Sequence, residues 1–299
     1  MILFGTPTRL RWFFDQRKPD QSLRFAESIA EAKVLELTLR FSSSPGKKHL
    51  QELKKLFNNS TTRIIVELGI MALSADTPAI LEILEPVRLS LVIHPSDEAP
   101  IPHKFLQPFL SNKTPVFLQV EQRRSHLAFL NRVGRDLLKI NFGDLIVTNP
   151  FLAGPEGREI PPVEDLDAGG EECGEILDLF KGKTTFHHPL VHLLATGGRG
   201  AKFHACQAAN ARASVAWDGI VYPCESFLSP LGSLEKQSLR EIWDSSVRRK
   251  LAGDLNKTPD SCAGCRNLET CLGGCRGLTH FYRKSIEERD ILCRSAFRE

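Results

Sequence analysis

Short apolar runs alternate with amphipathic helical stretches at a period of roughly 25 residues from Arg9 to about Leu152. Six runs read as strands: Leu10–Asp15, Val34–Phe41, Arg63–Leu68, Leu89–His94, Val116–Glu121 and Asp144–Thr148. The stretches between them read as helices. Leu50, Leu53, Leu56 and Phe57 fall on one face of the second, and Thr77 followed by Pro78 marks the start of the third. Helical crossovers between strands imply a parallel sheet, and right-handed connections curl such a series toward a barrel. The first half therefore predicts an α/β fold, a partial (β/α)6 TIM-like barrel.

The strands are not uniformly apolar. In Val34–Phe41, Leu35, Leu37, Leu39 and Phe41 alternate with Glu36, Thr38 and Arg40, and Arg11, Glu67, Gln119 and Glu121 interrupt other strands in the same phase. With the leucine face on the helices, the polar face lines the lumen, as a salt-bridged filling or as a ligand pocket. Functional groups in such barrels gather on the loops that follow the strands. Here those loops read Asp15-Gln16-Arg17, Ser42-Ser43-Ser44-Pro45-Gly46, Gly69-Ile70-Met71 and His94-Pro95-Ser96. His94 with Asp97 is a candidate acid–base pair, although a lone strand-end histidine also serves structurally. The Gly-, Pro- and acid-rich stretch from Ala153 to Gly170 reads as a linker, Glu175–Phe180 as a short helix and Thr184–His188 as a last strand.

Composition narrows the function classes. A net charge of +3 over 299 residues argues for neither nucleic acid nor a membrane surface. No apolar run approaches the ~18 residues of a membrane span, and Arg9 and Arg11 interrupt the start before a signal-peptide core develops. A cytoplasmic protein is the expectation, and clustered thiols in that reducing compartment are metal ligands before they are disulfides.

All eight cysteines lie at or beyond position 173. Four occupy fourteen residues, Cys262-Ala-Gly-Cys265-Arg-Asn-Leu-Glu-Thr-Cys271-Leu-Gly-Gly-Cys275; Cys206 and Cys224 precede them and Cys293 follows. Iron–sulfur clusters and structural zinc both take thiolates, usually four to a site. Spacing alone leaves that choice open. The chain thus divides into a barrel at 1–152, a linker and bridging segment at 153–203, and a cysteine-rich domain at 204–299.

The layout C-x12-G-x4-C, C-x2-C-x5-C-x3-C, C resembles that of the SPASM domain, the C-terminal extension of radical S-adenosylmethionine enzymes that modify peptides and proteins. Trp217-Asp218-Gly219-Ile-Val-Tyr-Pro-Cys224 resembles the family's hairpin, Leu239-Arg-Glu-Ile-Trp243 its helix, and Cys271-Leu-Gly-Gly-Cys275-Arg276 its C-x-G-G-C-R motif. The resemblance covers 206–293. It implies that Cys262, Cys265, Cys271 and Cys293 hold one 4Fe-4S cluster and that Cys206, Cys224 and Cys275 hold a second. For the missing fourth ligand of the second cluster, Cys173, His204 and an open iron site are the candidates.

The same family places C-x3-C-x2-C after the first strand and Gly-Gly-Glu after the second. Here no cysteine follows Leu10–Asp15, and the second loop reads Ser42-Ser43-Ser44. The resemblance then implies a degenerate barrel that retains auxiliary clusters and has lost radical chemistry, with S-adenosylmethionine not expected as a cofactor. Such a chain is similar to the stand-alone SPASM component of GeoRSP-like paired systems. Its implied partners are a radical S-adenosylmethionine enzyme and a peptide substrate, for electron relay or docking. Two other readings remain: an enzyme using an open iron of the second cluster, and a zinc-stabilised interaction module.

Overall fold

The structure, a computed structural model, describes residues 5–58, 60–74, 77–94, 114–138, 142–152, 160–167, 170–180, 183–196 and 206–293. Strands β1 (Arg9–Phe14), β2 (Glu36–Phe41), β3 (Arg63–Gly69), β4 (Arg88–Val92), β5 (Val116–Glu121), β6 (Leu145–Thr148) and β7 (Thr184–Phe186) pair in parallel, each with the next. All six strands expected from periodicity form, and β7 makes the parallel run one longer. On the free side of β1 the sheet continues. β8 (Arg212–Val215) pairs parallel to β1, and β9 (Ile220–Tyr222) and β10 (Gly232–Ser233) follow antiparallel, giving one ten-stranded sheet. Thr8 ties this junction, its backbone N–H and its hydroxyl both donating to the Ala211 carbonyl.

Period-two alternation sorts the side chains as the sequence dictates. Trp12, Leu39, Val66 and Leu89 form one register row, fully buried in the main hydrophobic core. Phe13, Arg40, Glu67 and Ser90 form the next row, on the opposite face. Leu35 departs from the pattern. It precedes β2 and is 55% exposed, because the alternating face reaches the core only from Leu37 onward.

The lumen between β1, β2 and β3 is a salt-bridged filling. Arg11 stands 2.8 Å from Glu67 and 2.5 Å from Glu225, and Arg40 is 3.6 Å from Glu67. Phe151, in the segment after β6, lies under both guanidinium groups, with Arg11 at 4.6 Å and Arg40 at 4.3 Å from its ring centre. Burial works against ionisation of Glu225, but Arg11 and Arg212 outweigh it and hold the carboxyl at about 2. The filling thus couples the first strand to the cysteine-rich part through a charge pair that water does not screen.

Part of the expected linker is ordered structure. Val163–Leu166 forms one helical turn whose Leu166 is fully buried, and Gln122 donates its side-chain N–H to the Leu166 carbonyl at 3.2 Å. Glycine and proline masked that contact in the sequence. Residues 153–159 lie outside the described residues. Thr77 stands directly before the Pro78–Leu84 helix as expected, and its hydroxyl accepts the Ser74 N–H at 2.8 Å. Among the described residues no helix is long and apolar enough to cross a membrane.

His126, on the Arg124–Leu137 helix, packs edge-on against His94 at 5.1 Å and is 2% exposed. His94 is therefore placed in a ring contact, and its candidate partner Asp97 lies outside the described residues. Burial lowers the His126 imidazole to about 3. The unfolded chain takes up this proton below about 6.5 and the folded one does not, so stability is present above that pH and is lost as pH falls toward 3. His126 should account for about 2–3 kcal/mol of the stability lost between pH 7 and pH 4.5 in urea titrations. Burial lowers His187 to about 3 as well, so His126→Leu should shrink the pH dependence by the His126 share; an unchanged pH profile in the variant would assign the acid loss elsewhere.

Candidate metal centre

The cysteines fall into two neighbourhoods, each built by a different local device. Cys206 precedes the β8–β9 hairpin and Cys224 follows it, so antiparallel pairing brings the two ends together. Cys275 caps the N-terminus of the Arg276–Arg283 helix. All three line one cavity of about 230 Å³, which Asn149, His187, Arg212 and Glu225 also line. The Cys224 thiol interacts electrostatically with those of Cys206 and Cys275. Each sulfur has a polar hydrogen aimed at it. Backbone N–H groups of Ala208, Ser226, and Gly277 with Leu278 face Cys206, Cys224 and Cys275 respectively, and the Asn149 amide donates to Cys275 Sγ at 3.2 Å.

Cys262, Cys265, Cys271 and Cys293 form the other neighbourhood, in which Cys271 and Cys293 each interact with both Cys262 and Cys265. A tight turn makes it: the Cys265 N–H donates to the Cys262 carbonyl at 3.1 Å, and Gly264 takes φ +74°. Between Cys271 and Cys275 the chain runs through three residues of positive φ, Leu272, Gly273 and Gly274. This reversal turns Cys275 away from Cys262, Cys265 and Cys271 and toward Cys206 and Cys224. Both glycines are required by crowding as well, since a Cβ on Gly274 would collide with the Asp290 carboxylate and one on Gly273 would come within 2.9 Å of Pro259. Asp290 fastens the two neighbourhoods together. Its carboxylate accepts the Cys275 N–H at 2.5 Å and the Leu292 N–H at 2.8 Å, and it lies 3.2 Å from His188.

Burial raises the thiols of Cys206, Cys224, Cys262, Cys271, Cys275 and Cys293. Binding a metal group must therefore displace protons, and the N–H groups facing the sulfurs lower that cost. Among the described residues no three His, Cys, Asp or Glu side chains converge closely enough for a single metal ion. Four thiols in one set and three in the other, with polar hydrogens aimed at sulfur, are a donor chemistry that fits an iron–sulfur group.

Cys173 stands apart. It is fully buried in the main hydrophobic core on the Gly170–Leu179 helix, and burial pushes its thiol up to about 12. His204 lies outside the described residues. His187, which follows β7, is the residue that sequence reading overlooked: it lines the cavity of the second neighbourhood, where Arg212 Nη1 approaches its Nε2 at 2.6 Å. The signal available was the His187-His188 pair at the end of the last strand.

Residues 206–266 match the model of SPASM, an iron–sulfur cluster-binding domain. The mixed α/β fold with its parallel sheet is similar to that of solved structures of low sequence identity. Native anSMEcpe with bound AdoMet superposes with a TM-score of 0.65 at 14% identity, over 96% of this chain and 94% of that one. Streptococcus suis SuiB bound to the precursor peptide SuiA gives 0.64 at 12% identity, over 98% and 77%. No curated protein sequence matches the chain.

After β1, the β8–β9 hairpin closes a second cavity of about 360 Å³ through Trp217, together with Phe13, Phe14, Asp15, Arg17, Arg40, Phe41, Ser42 and Gly69. The loops after β1 and β2 are clasped to each other. Gln16 Oε1 accepts from the Ser42 and Ser43 hydroxyls and from the Ser43 N–H, and its amide donates to the Ser43 carbonyl at 2.5 Å.

Proposed function

We propose that this chain is an iron–sulfur partner of a radical S-adenosylmethionine enzyme that modifies a peptide or protein, and that it generates no radical itself. Cys262, Cys265, Cys271 and Cys293 hold one 4Fe-4S cluster; Cys206, Cys224 and Cys275 hold a second. The observation that carries this reading is the contrast between the cysteine-rich region and the loop after β1. Thiols gather at the SPASM domain, whereas the loop after β1 presents Gln16 clasped to Ser43 and no thiol. When bound, such clusters supply one-electron carriers. The chain's own part is to aim N–H groups at the sulfurs, to exclude water from them, and to carry them on the barrel sheet through β8. A reducing cytoplasm would keep the thiols available. The peptide bound by SuiB in a structure of this fold supports a peptide or protein as what the assembly acts on.

Iron, sulfide and zinc analysis of anaerobically purified protein, with electron paramagnetic resonance after reduction, tests the reading. The expected result is about eight irons and eight sulfides per chain, no zinc, and no cleavage of S-adenosylmethionine under reducing conditions. About two zincs without sulfide would replace it with a structural interaction module. Cleavage of S-adenosylmethionine would sink the partner assignment.

A second reading is favoured by the cavity of about 230 Å³ that the three thiols of the second neighbourhood line. An open iron there would serve as a Lewis acid in an enzyme of its own. Cyanide that shifts only the second cluster's resonance would mark such a site.

A further inference from the structure

Arg276 is the first residue of the helix that Cys275 caps, and it is 1% exposed. Nε, Nη1 and Nη2 are all buried, and none has a hydrogen-bond partner among the described residues. A guanidinium carries five N–H donors and stays charged inside a protein. Leaving it buried without acceptors costs several kcal/mol per ion. Buried Arg11, by contrast, meets two carboxylates. What Arg276 feels electrostatically is one thiol from each neighbourhood, Cys206 and Cys262, together with Glu287, an exposed side chain to which it makes no hydrogen bond. The side chain therefore stands between the two cysteine sets. Its Nη1 lies beside Gly273, at ordinary contact distance from where a Cβ there would stand.

We infer that Arg276 is a charge bridge between the two clusters, its fork donating N–H groups to sulfur on both sides. The inference rests on the two-cluster reading above. An anionic group on each side satisfies the orphaned donors, and a cation shared between the groups favours the added electron on either one. Arg276 touches no substrate under this reading; it is a positioning and tuning residue for both centres. The geometry also explains why a lysine would not serve equally, since one nitrogen cannot reach two directions as a planar fork does.

The test is a redox titration of the full-length reconstituted protein, followed by electron paramagnetic resonance, alongside iron and sulfide counts. Arg276→Met should lower the midpoint potentials of both clusters. Asn149→Leu, which removes the amide donor to Cys275 alone, should lower only the second. If Arg276→Met fails to keep its iron, Arg276→Lys carries the measurement, and at least one potential should fall while the iron count stays at the wild-type value. Potentials of both clusters unchanged in the folded, loaded variant would overturn the bridge and leave the two-cluster reading standing. Absence of iron and sulfide from the wild-type protein would instead remove that reading and the inference with it.

Discussion

Cys265→Ala protein is expected to carry about half the iron of the wild type and to open between Thr258 and Gly274, while the β8–β9 hairpin stays protected. The reason lies in what else holds each part. Among the described residues the 258–274 segment has only the turn Asp260–Cys262 and one helical turn at Leu268–Cys271. Under the two-cluster reading ligand bonds are its main restraint, and metal-held segments of this kind unfold when the metal leaves. β8 is different, since it pairs with β1 along four registered positions inside the barrel sheet. Limited proteolysis with mass mapping checks this. Cleavage confined to 258–274 and to the segment before Cys293 is the expected pattern, and resistance equal to wild type would show that the thiols do not hold the segment.

Arg11→Leu is the second large effect. It removes the side chain that pairs with both Glu67, fully buried, and Glu225, 6% exposed. Breaking a buried ion pair from one side costs ~3–5 kcal/mol, because the remaining charge stays uncompensated. Arg40 recovers part of Glu67 from its distance of 3.6 Å. Urea unfolding should therefore show a loss of about 3 kcal/mol or more. A loss below ~1 kcal/mol, the range of solvent-exposed pairs, would mean that the lumen is wet.

Strand phase was legible because it is local: Leu37, Leu39 and Phe41 against Thr38 and Arg40 fix the two faces of β2 without reference to any other residue. The cysteine-rich region reads as a candidate metal site from spacing, but its division into two sets came from family resemblance. The structure places those sets through a hairpin and a glycine reversal. Three features had no local signal. The pairing of β8 with β1 joins positions about 200 apart. Phe151 fills the lumen from a stretch that reads as the end of a strand followed by a linker. Arg276 reads as the last residue of the C-x-G-G-C-R motif, with no sign of what it does until its three unpartnered nitrogens are seen.

The seam between β1 and β8 also sets a schedule for biogenesis. Thr8 bonds to Ala211 across 203 positions of sequence, so β1 has a partner on one side only until the chain past Val215 has been made. At ~5–20 residues per second this leaves an open strand edge for roughly 10–40 s on the ribosome. An edge rich in aromatic residues, Arg9-Leu-Arg-Trp-Phe-Phe14, is a template for unwanted pairing during that interval. Nascent chains stalled before residue 212 should therefore aggregate on release, whereas those stalled after the β8–β9 hairpin should stay dispersed.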